Sequence, residues 1–207
     1  MGDQALGIAE IVGDQHQVQG RKHGEGRLLA AGDLEGDHRA RRGHLAGHDV
    51  GNRWTELSQN WDAHADGVLY PFNDWHAAMA YLGAGRTSEV ERLLNAYCAG
   101  SNNSEAGAWA QQTGLPLIEG FRAFWTGDYR TAVERLHRAR YIVNSFGGSH
   151  AQRDVIDWTL TEAAIRGGLG DIAEALANER IAMKPHSPVN KRFLMGAREA
   201  SGKSLAA

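Results

Sequence analysis

Apolar residues recur every three or four positions along most of the chain beyond residue 50, which is the spacing of one face of an α-helix. The clearest stripes are Phe72, Trp75, Met79 and Leu82, then Val90, Leu93, Leu94 and Tyr97, then Val133, Leu136, Ala139 and Val143. Glycine-containing turns separate successive stripes. The pattern therefore predicts an all-α chain built from pairs of antiparallel helices.

The turns between paired helices recur at a nearly constant interval. Gly85, Gly127 and Gly170 occupy corresponding positions, 42 and 43 residues apart. A repeat of this length made of two helices is typical of an α-solenoid, in which each pair packs against the next. We expect about three helix pairs in residues 51–185, then a short helix and a flexible tail in residues 186–207.

The first 50 residues differ in kind from the rest. They contain ten glycines and five histidines and lack Trp, Tyr, Phe, Pro and Cys. Glycine and charged residues interrupt every apolar period, so we expect residues 1–50 to form a disordered or poorly packed Gly/His-rich arm. His44 and His48 could share a helix face, but no third ligand falls in register, and no metal site is predicted.

The segment from Gly147 to Asp154 has the pattern of a helix start. Two glycines precede Ser149, which stands at an N-cap position, and Gln152 follows three residues later, as in a capping box. His150, Arg153 and Asp154 then cluster on the polar side of the predicted helix. Most such faces are only solvated surface, although the helix N-terminus could also hold an anion.

A second polar motif lies on the predicted helix that Pro71 opens. Asn73 is expected to cap this helix, and Asp74 and His76 follow it. His76 falls on the apolar side, which favours a core histidine bonded to a backbone carbonyl. The competing interpretation joins both motifs across a groove into one polar cluster: Asn73, Asp74, His76, Ser149, His150, Gln152, Arg153 and Asp154.

Composition and charge narrow the classes of function. The net charge of −3 provides no basic field for nucleic acid, and no apolar run is long enough for a membrane span. The single cysteine, Cys98, rules out an internal disulfide, so a cytoplasmic protein is expected, with Cys98 as a buried structural thiol. No nucleotide fingerprint or other cofactor motif occurs.

The turn Gly127-Asp128-Tyr129 resembles that of a tetratricopeptide repeat, with Gly120 and Ala132 at the small positions where paired helices cross. Together with Asn73 to Ala77 and Gly147 to Val155, it resembles the tetratricopeptide-repeat protein 38 family over about residues 45 to 185. The resemblance implies a helical-repeat fold and assigns no activity. Members of that family are longer, so the chain resembles their C-terminal part.

Three functions are consistent with these patterns. Stacked helix pairs form a concave groove, so we expect a scaffold that binds a peptide or partner helix. The alternative is a hydrolase or transferase in which His76 acts as a base and Arg153 holds an anion in an inter-repeat pocket. An uncapped N-terminal repeat would also promote self-association through its apolar face.

Overall fold

The chain is all-helical throughout the part that a computed structural model describes, residues 51–68, 70–99, 105–146 and 148–202. Eight α-helices and no strand occur in these ranges, together with a 3₁₀ turn at Val143–Phe146. The helices are α1 Arg53–Trp61, α2 Pro71–Gly83, α3 Thr87–Ala99, α4 Glu105–Trp125, α5 Tyr129–Ala139, α6 His150–Arg166, α7 Gly170–Met183 and α8 Pro188–Ala200. The predicted arm and the last five residues of the predicted tail lie outside these ranges.

One kind of turn joins α2 to α3, α4 to α5 and α6 to α7. Each turn contains a glycine with positive φ, which glycine adopts at little cost: Gly85 at 72°, Gly127 at 81° and Gly168 at 64°. The residue after each glycine donates its N–H to the carbonyl five residues earlier, which ends the preceding helix. The third turn glycine is therefore Gly168, and the prediction of Gly170 was wrong, because Gly170 is the first residue of α7.

Successive hairpins pack against one another. Every helix contacts the next along the chain, and α2 also packs on α4, as α6 does on α8. We call α2, α4, α6 and α8 the first helices, because each is followed two residues later by a glycine with positive φ. The prediction of an all-α chain of packed helix pairs is confirmed. Its continuation into a curved solenoid stays a prediction.

Helix α2 is the most enclosed element of the first half. Eleven of its thirteen residues are buried, because α1, α3 and α4 pack around it. On the α1 side, Trp54 lies so close to Gly83 that a Cβ there would be 2.3 Å from the indole ring. The outer side chains of α1 are polar and exposed: Arg53, Thr55, Glu56, Gln59 and Asn60. The outer side of α1 is therefore polar, and self-association through an uncapped N-terminal repeat stays a prediction.

Helix α2 starts at Pro71 as predicted, but the expected cap at Asn73 is wrong. Tyr70 precedes α2, so Asn73 lies inside the helix, and its amide donates to the His64 carbonyl at 3.3 Å instead of capping. Helix α5 is capped by Asp128, which accepts a hydrogen bond from the Thr131 backbone N–H at 3.2 Å. A capping side chain lies just before the first helical residue. Pro71 and Tyr129 are the first residues of α2 and α5, so Tyr70 and Asp128 hold the capping positions.

The end of the described region also differs from expectation. Helix α8 has thirteen residues and packs on both α6 and α7, so the stack extends beyond residue 185. Cys98 is exposed, and its expected burial was wrong, because it lies beside Tyr97 on α3, where the neighbouring tyrosine faces the core. No helix among the described residues is long and apolar enough to cross a bilayer.

The crossing of α4 and α5 depends on small residues, as the repeat pattern predicts. A Cβ on Gly120 would lie 2.6 Å from the Leu136 Cδ2 atom, and Ala132 is fully buried. We predict that Gly120→Ala lowers the free energy of unfolding by about 1 to 3 kcal/mol, because the helices must separate. Urea unfolding of the full chain measures the change.

Gly196→Ala is the matched control, since a Cβ there would only touch Ile165 at 3.4 Å. This variant should be neutral or more stable than wild type, because alanine favours a helix interior over glycine by about 1 kcal/mol. Equal effects at the two positions would contradict the close crossing at Gly120.

Candidate functional site

The segment that precedes α6 forms the capping box that its sequence predicts. The Gln152 backbone N–H donates to the Ser149 Oγ at 3.2 Å, and the Ser149 backbone N–H donates to the Gln152 side-chain Oε1 at 2.6 Å. Ser149 has extended backbone angles and Gln152 is buried. These two residues are therefore fixed in place at the start of α6.

The same segment meets α2 through Phe72. Gly148 has a φ of 77°, and a Cβ on it would lie 2.6 Å from the Phe72 ring, so only glycine fits. Arg153 turns back and donates from Nη1 to the Gly148 carbonyl, while its Nη2 lies 3.4 Å from the Nδ1 of the exposed His150. Arg153 thereby holds the turn that presses Gly148 against α2.

His76 lies in a closed aromatic core and not in a pocket. It has no exposed surface, and its Nδ1 lies 2.6 Å from the Phe72 carbonyl oxygen, to which it donates. The ring centroids of Trp75, Phe72 and Trp61 are 3.7, 4.2 and 5.5 Å from that of His76. This geometry matches a core histidine and gives no support to His76 as a base in an open pocket.

Asp74 lies on another side of α2, away from the α6 segment. Its carboxylate is buried and accepts hydrogen bonds from the Tyr97 hydroxyl at 2.7 Å and from the Gly67 amide at 3.1 Å. Burial raises its pKa to about 6, and these two hydrogen bonds limit the increase. Asp74 therefore connects α2 to α3 and to the loop before α2, and does not join Arg153 and Asp154.

Asp154 joins three helices through Arg180. Its two oxygens accept from the Arg180 guanidinium at 2.9 and 3.3 Å, and the Arg180 Nε donates to the Asn190 Oδ1 at 3.2 Å. The side-chain Nδ2 of Asn190 in turn donates to the Arg180 backbone carbonyl at 2.8 Å. This buried brace connects α6, α7 and α8.

Arg140 forms a second brace, at the end of α5. Its Nε lies 2.7 Å from the Asp157 Oδ1, and its Nη2 lies 2.8 Å from the Glu179 Oε2. Burial raises the pKa of Asp157, and the positive charges of Arg140 and Arg180 partly offset that effect. The two ion pairs of Arg140, with Asp157 and with Glu179, hold the end of α5 against α6 and α7.

Sequence reasoning missed Arg180 and Asn190, although one signal was present. Arg180 stands in line with Ala173, Leu176 and Ala177 on the buried face of α7. An arginine within an apolar stripe needs a carboxylate partner. Asp154, on the polar side of α6, is that partner.

The eight predicted site residues therefore separate into distinct groups. His76 and the Gly148 turn both contact Phe72. The side chains of Asn73, Asp74 and Asp154 instead bond to His64, Tyr97 and Arg180. Across the described ranges, no three His, Cys, Asp or Glu side chains are grouped to hold a metal ion. His44 and His48 lie outside those ranges. The arrangement supports a rigid framework with exposed side chains such as His150 on its surface.

No family model matches the chain, and no solved structure matches it.

The Asp154 and Arg180 pair should be strongly coupled. In a double-mutant cycle with Asp154→Ala and Arg180→Ala, we expect a coupling energy of about 1 to 3 kcal/mol, because either single variant leaves a charge without its partner. Chemical unfolding of the four proteins measures it.

The exposed pair Glu134 and Arg138, with side chains 58% and 73% accessible, serves as the control cycle. Its coupling should stay below about 0.5 kcal/mol. Similar values for the two cycles would refute the brace.

The buried Asp74 carboxyl should make stability depend on pH. Its pKa rises from 3.8 to about 6 on folding, so the folded chain holds this proton more tightly. The resulting stabilisation is complete below pH 3.8 and is lost as the pH rises through about 6. Each pKa unit corresponds to about 1.4 kcal/mol.

We therefore predict that the stability of Asp74→Asn, relative to wild type, increases by about 2 to 3 kcal/mol between pH 3.5 and 7. Urea unfolding of both proteins across this range measures the difference. A constant difference, or one that falls with pH, would show that Asp74 is not buried as described.

Proposed function

We propose that this chain is a protein-interaction module or scaffold of the tetratricopeptide type that binds a peptide or partner helix in a groove on its first helices. The observation that carries the proposal is the repeated helix–turn–helix unit, with glycine turns at Gly85, Gly127 and Gly168. The packing of α2 on α4, and of α6 on α8, is how first helices line a shared binding face in such repeats. Membership of the tetratricopeptide-repeat protein 38 family is part of this proposal.

The roles of the polar residues favour binding over catalysis. His76 has no exposed surface, Arg153 holds the Gly148 turn, and Asp154 is engaged by Arg180. Catalysis of the proposed kind needs a general base that the substrate can reach and a nearby group that stabilises the developing charge. Here the candidate residues are already engaged in contacts within the fold. A rigid framework instead suits recognition, because few interactions need to be reorganised when a ligand binds.

The aromatic edge, which we define as Tyr70, Phe72 and Trp109, is the part of the first helices best suited to contact a peptide. The Tyr70 and Trp109 rings are roughly parallel, with centroids 6.4 Å apart, and both are partly exposed. The Trp109 indole donates to the Ser145 Oγ at 3.0 Å, which holds it in place. Tyr and Trp dominate protein interfaces because they combine a large apolar area with a polar group.

A displayed library of random peptides, selected against the full chain, tests the proposal. We predict that selected peptides bind Trp109→Ala at least about tenfold more weakly than wild type, measured by fluorescence anisotropy. Trp109→Phe retains the ring without the bond to Ser145 and should keep most of the affinity. If Trp109→Phe binds and Trp109→Ala does not, the lost affinity is due to the missing aromatic contact. Equal losses in both variants would point to a damaged fold.

Tyr141→Ala is the matched aromatic control, since Tyr141 is 65% exposed at the end of α5, beyond the first helices. This variant should change affinity less than about twofold. Failure to select any peptide that binds the folded chain would overturn the proposed function. Equal losses in Trp109→Ala and Tyr141→Ala would place binding away from the aromatic edge.

A further inference from the structure

Helix α8 exposes an apolar residue surrounded by positive charge. Lys191, Met195 and Arg198 share one helical face, because they are four and three residues apart, and Met195 is 50% exposed. Arg192 is also exposed, and Lys184, whose carbonyl accepts from Asn190, lies beside the start of the helix. We call these five residues the cationic face.

The charges of this face are not neutralised within the part of the chain that the structure describes. Eight other arginines there each pair with a carboxylate within 4 Å: Arg86, Arg92, Arg122, Arg135, Arg138, Arg140, Arg166 and Arg180. The four cations of the cationic face form no ion pair with any described residue. Between Met183 and Gly202 the sequence provides one carboxylate, Glu199. A chain of net charge −3 thus concentrates positive charge on α8.

The cationic face stands on a well-anchored helix. Ser187 caps α8, because its hydroxyl accepts from the Asn190 backbone N–H at 3.3 Å. The Asn190 side chain is in turn bonded to Arg180. Phe193 is buried with its ring 5.7 Å from that of Trp158 on α6. Side chains on the opposite side of α8 are therefore presented in a fixed arrangement, which lowers the entropy that a partner must overcome.

We propose that the cationic face docks an acidic segment of a partner protein, with an apolar side chain against Met195 and carboxylates beside Lys191 and Arg198. Opposite charge gives selectivity and fast association, and methionine adapts its shape to different apolar partners. Lys191 and Arg198 are about 10 Å apart along the helix axis. An extended peptide spans this distance with carboxylates about three residues apart. This inference adds a surface distinct from the aromatic edge.

The probe is a fluorescein-labelled peptide that carries Glu-Glu-Leu-Glu-Glu between Gly-Ser spacers, with a matched peptide in which Gln replaces every Glu. We expect the full chain to bind the acidic peptide at least about tenfold more tightly than the Gln peptide, and salt to weaken that binding. Lys191→Glu combined with Arg192→Glu should reduce the affinity at least about tenfold. Met195→Ala should reduce it about threefold.

Arg53→Glu combined with Arg130→Glu is the matched control, because both arginines are exposed on other helices and the change in net charge is the same. This variant should retain the affinity within about twofold. Equal weakening by the two charge reversals, or equal binding of the two peptides, would overturn the proposal. So would tighter binding of duplex DNA or anionic lipid vesicles through Lys191 and Arg192.

The two proposals fail independently. If peptides selected for the proposed function still depend on Trp109 while the acidic peptide ignores Lys191→Glu with Arg192→Glu, only the cationic face is refuted. If no selected peptide binds but the acidic peptide does, the groove is refuted and the cationic face stands.

Discussion

The hydrogen bond from the Tyr97 hydroxyl to the Asp74 carboxylate constrains how α2, α3 and α4 come together. Tyr97 lies on α3, Asp74 on α2, and a Cβ on Gly114 of α4 would be 2.3 Å from the Tyr97 oxygen. One buried polar contact therefore fixes three helices at once. A buried carboxylate that loses its partner is costly, so other packings of these helices are disfavoured. This junction adds a polar constraint to the apolar packing of α1, α3 and α4 that encloses α2.

Between α5 and α8, arginine side chains fix the arrangement of neighbouring helices, as the Tyr97 and Asp74 contact does between α2 and α4. Arg140 links α5 to α6 and α7, and Arg180 links α6 to α7 and α8. Each guanidinium reaches several partners in a fixed plane, so it specifies both the distance and the rotation of neighbouring helices. Of the eight residues that look like a catalytic cluster in sequence, Asp154 is used in this way. The surfaces left for function are the aromatic edge, where Tyr70 and Trp109 are partly exposed, and the cationic face, where Met195 is half-exposed.

Interactions within one turn of helix were largely predictable from sequence. The Ser149 and Gln152 capping box, the start of α2 at Pro71 and the small residues Gly120 and Ala132 all match the structure. The expected cap of α2 was wrong by three residues, because Asn73 lies inside the helix and Tyr70 precedes it. Gly168 and Gly170, two residues apart, were confused because only the backbone angles show which one adopts positive φ.

The amino-acid sequence alone determined the helical class, the paired repeat and the turn chemistry, because these depend on residues within a few positions of one another. Tertiary structure decided the partners of the polar residues. Asp74 faces Tyr97, 23 residues along the chain, and Asp154 faces Arg180, 26 residues along. Helical periodicity tells which side of its own helix a residue occupies, but not which other helix covers that side. That choice follows from the packing of whole helices, so only the folded chain separated His76 in the core from the groups that it was expected to join.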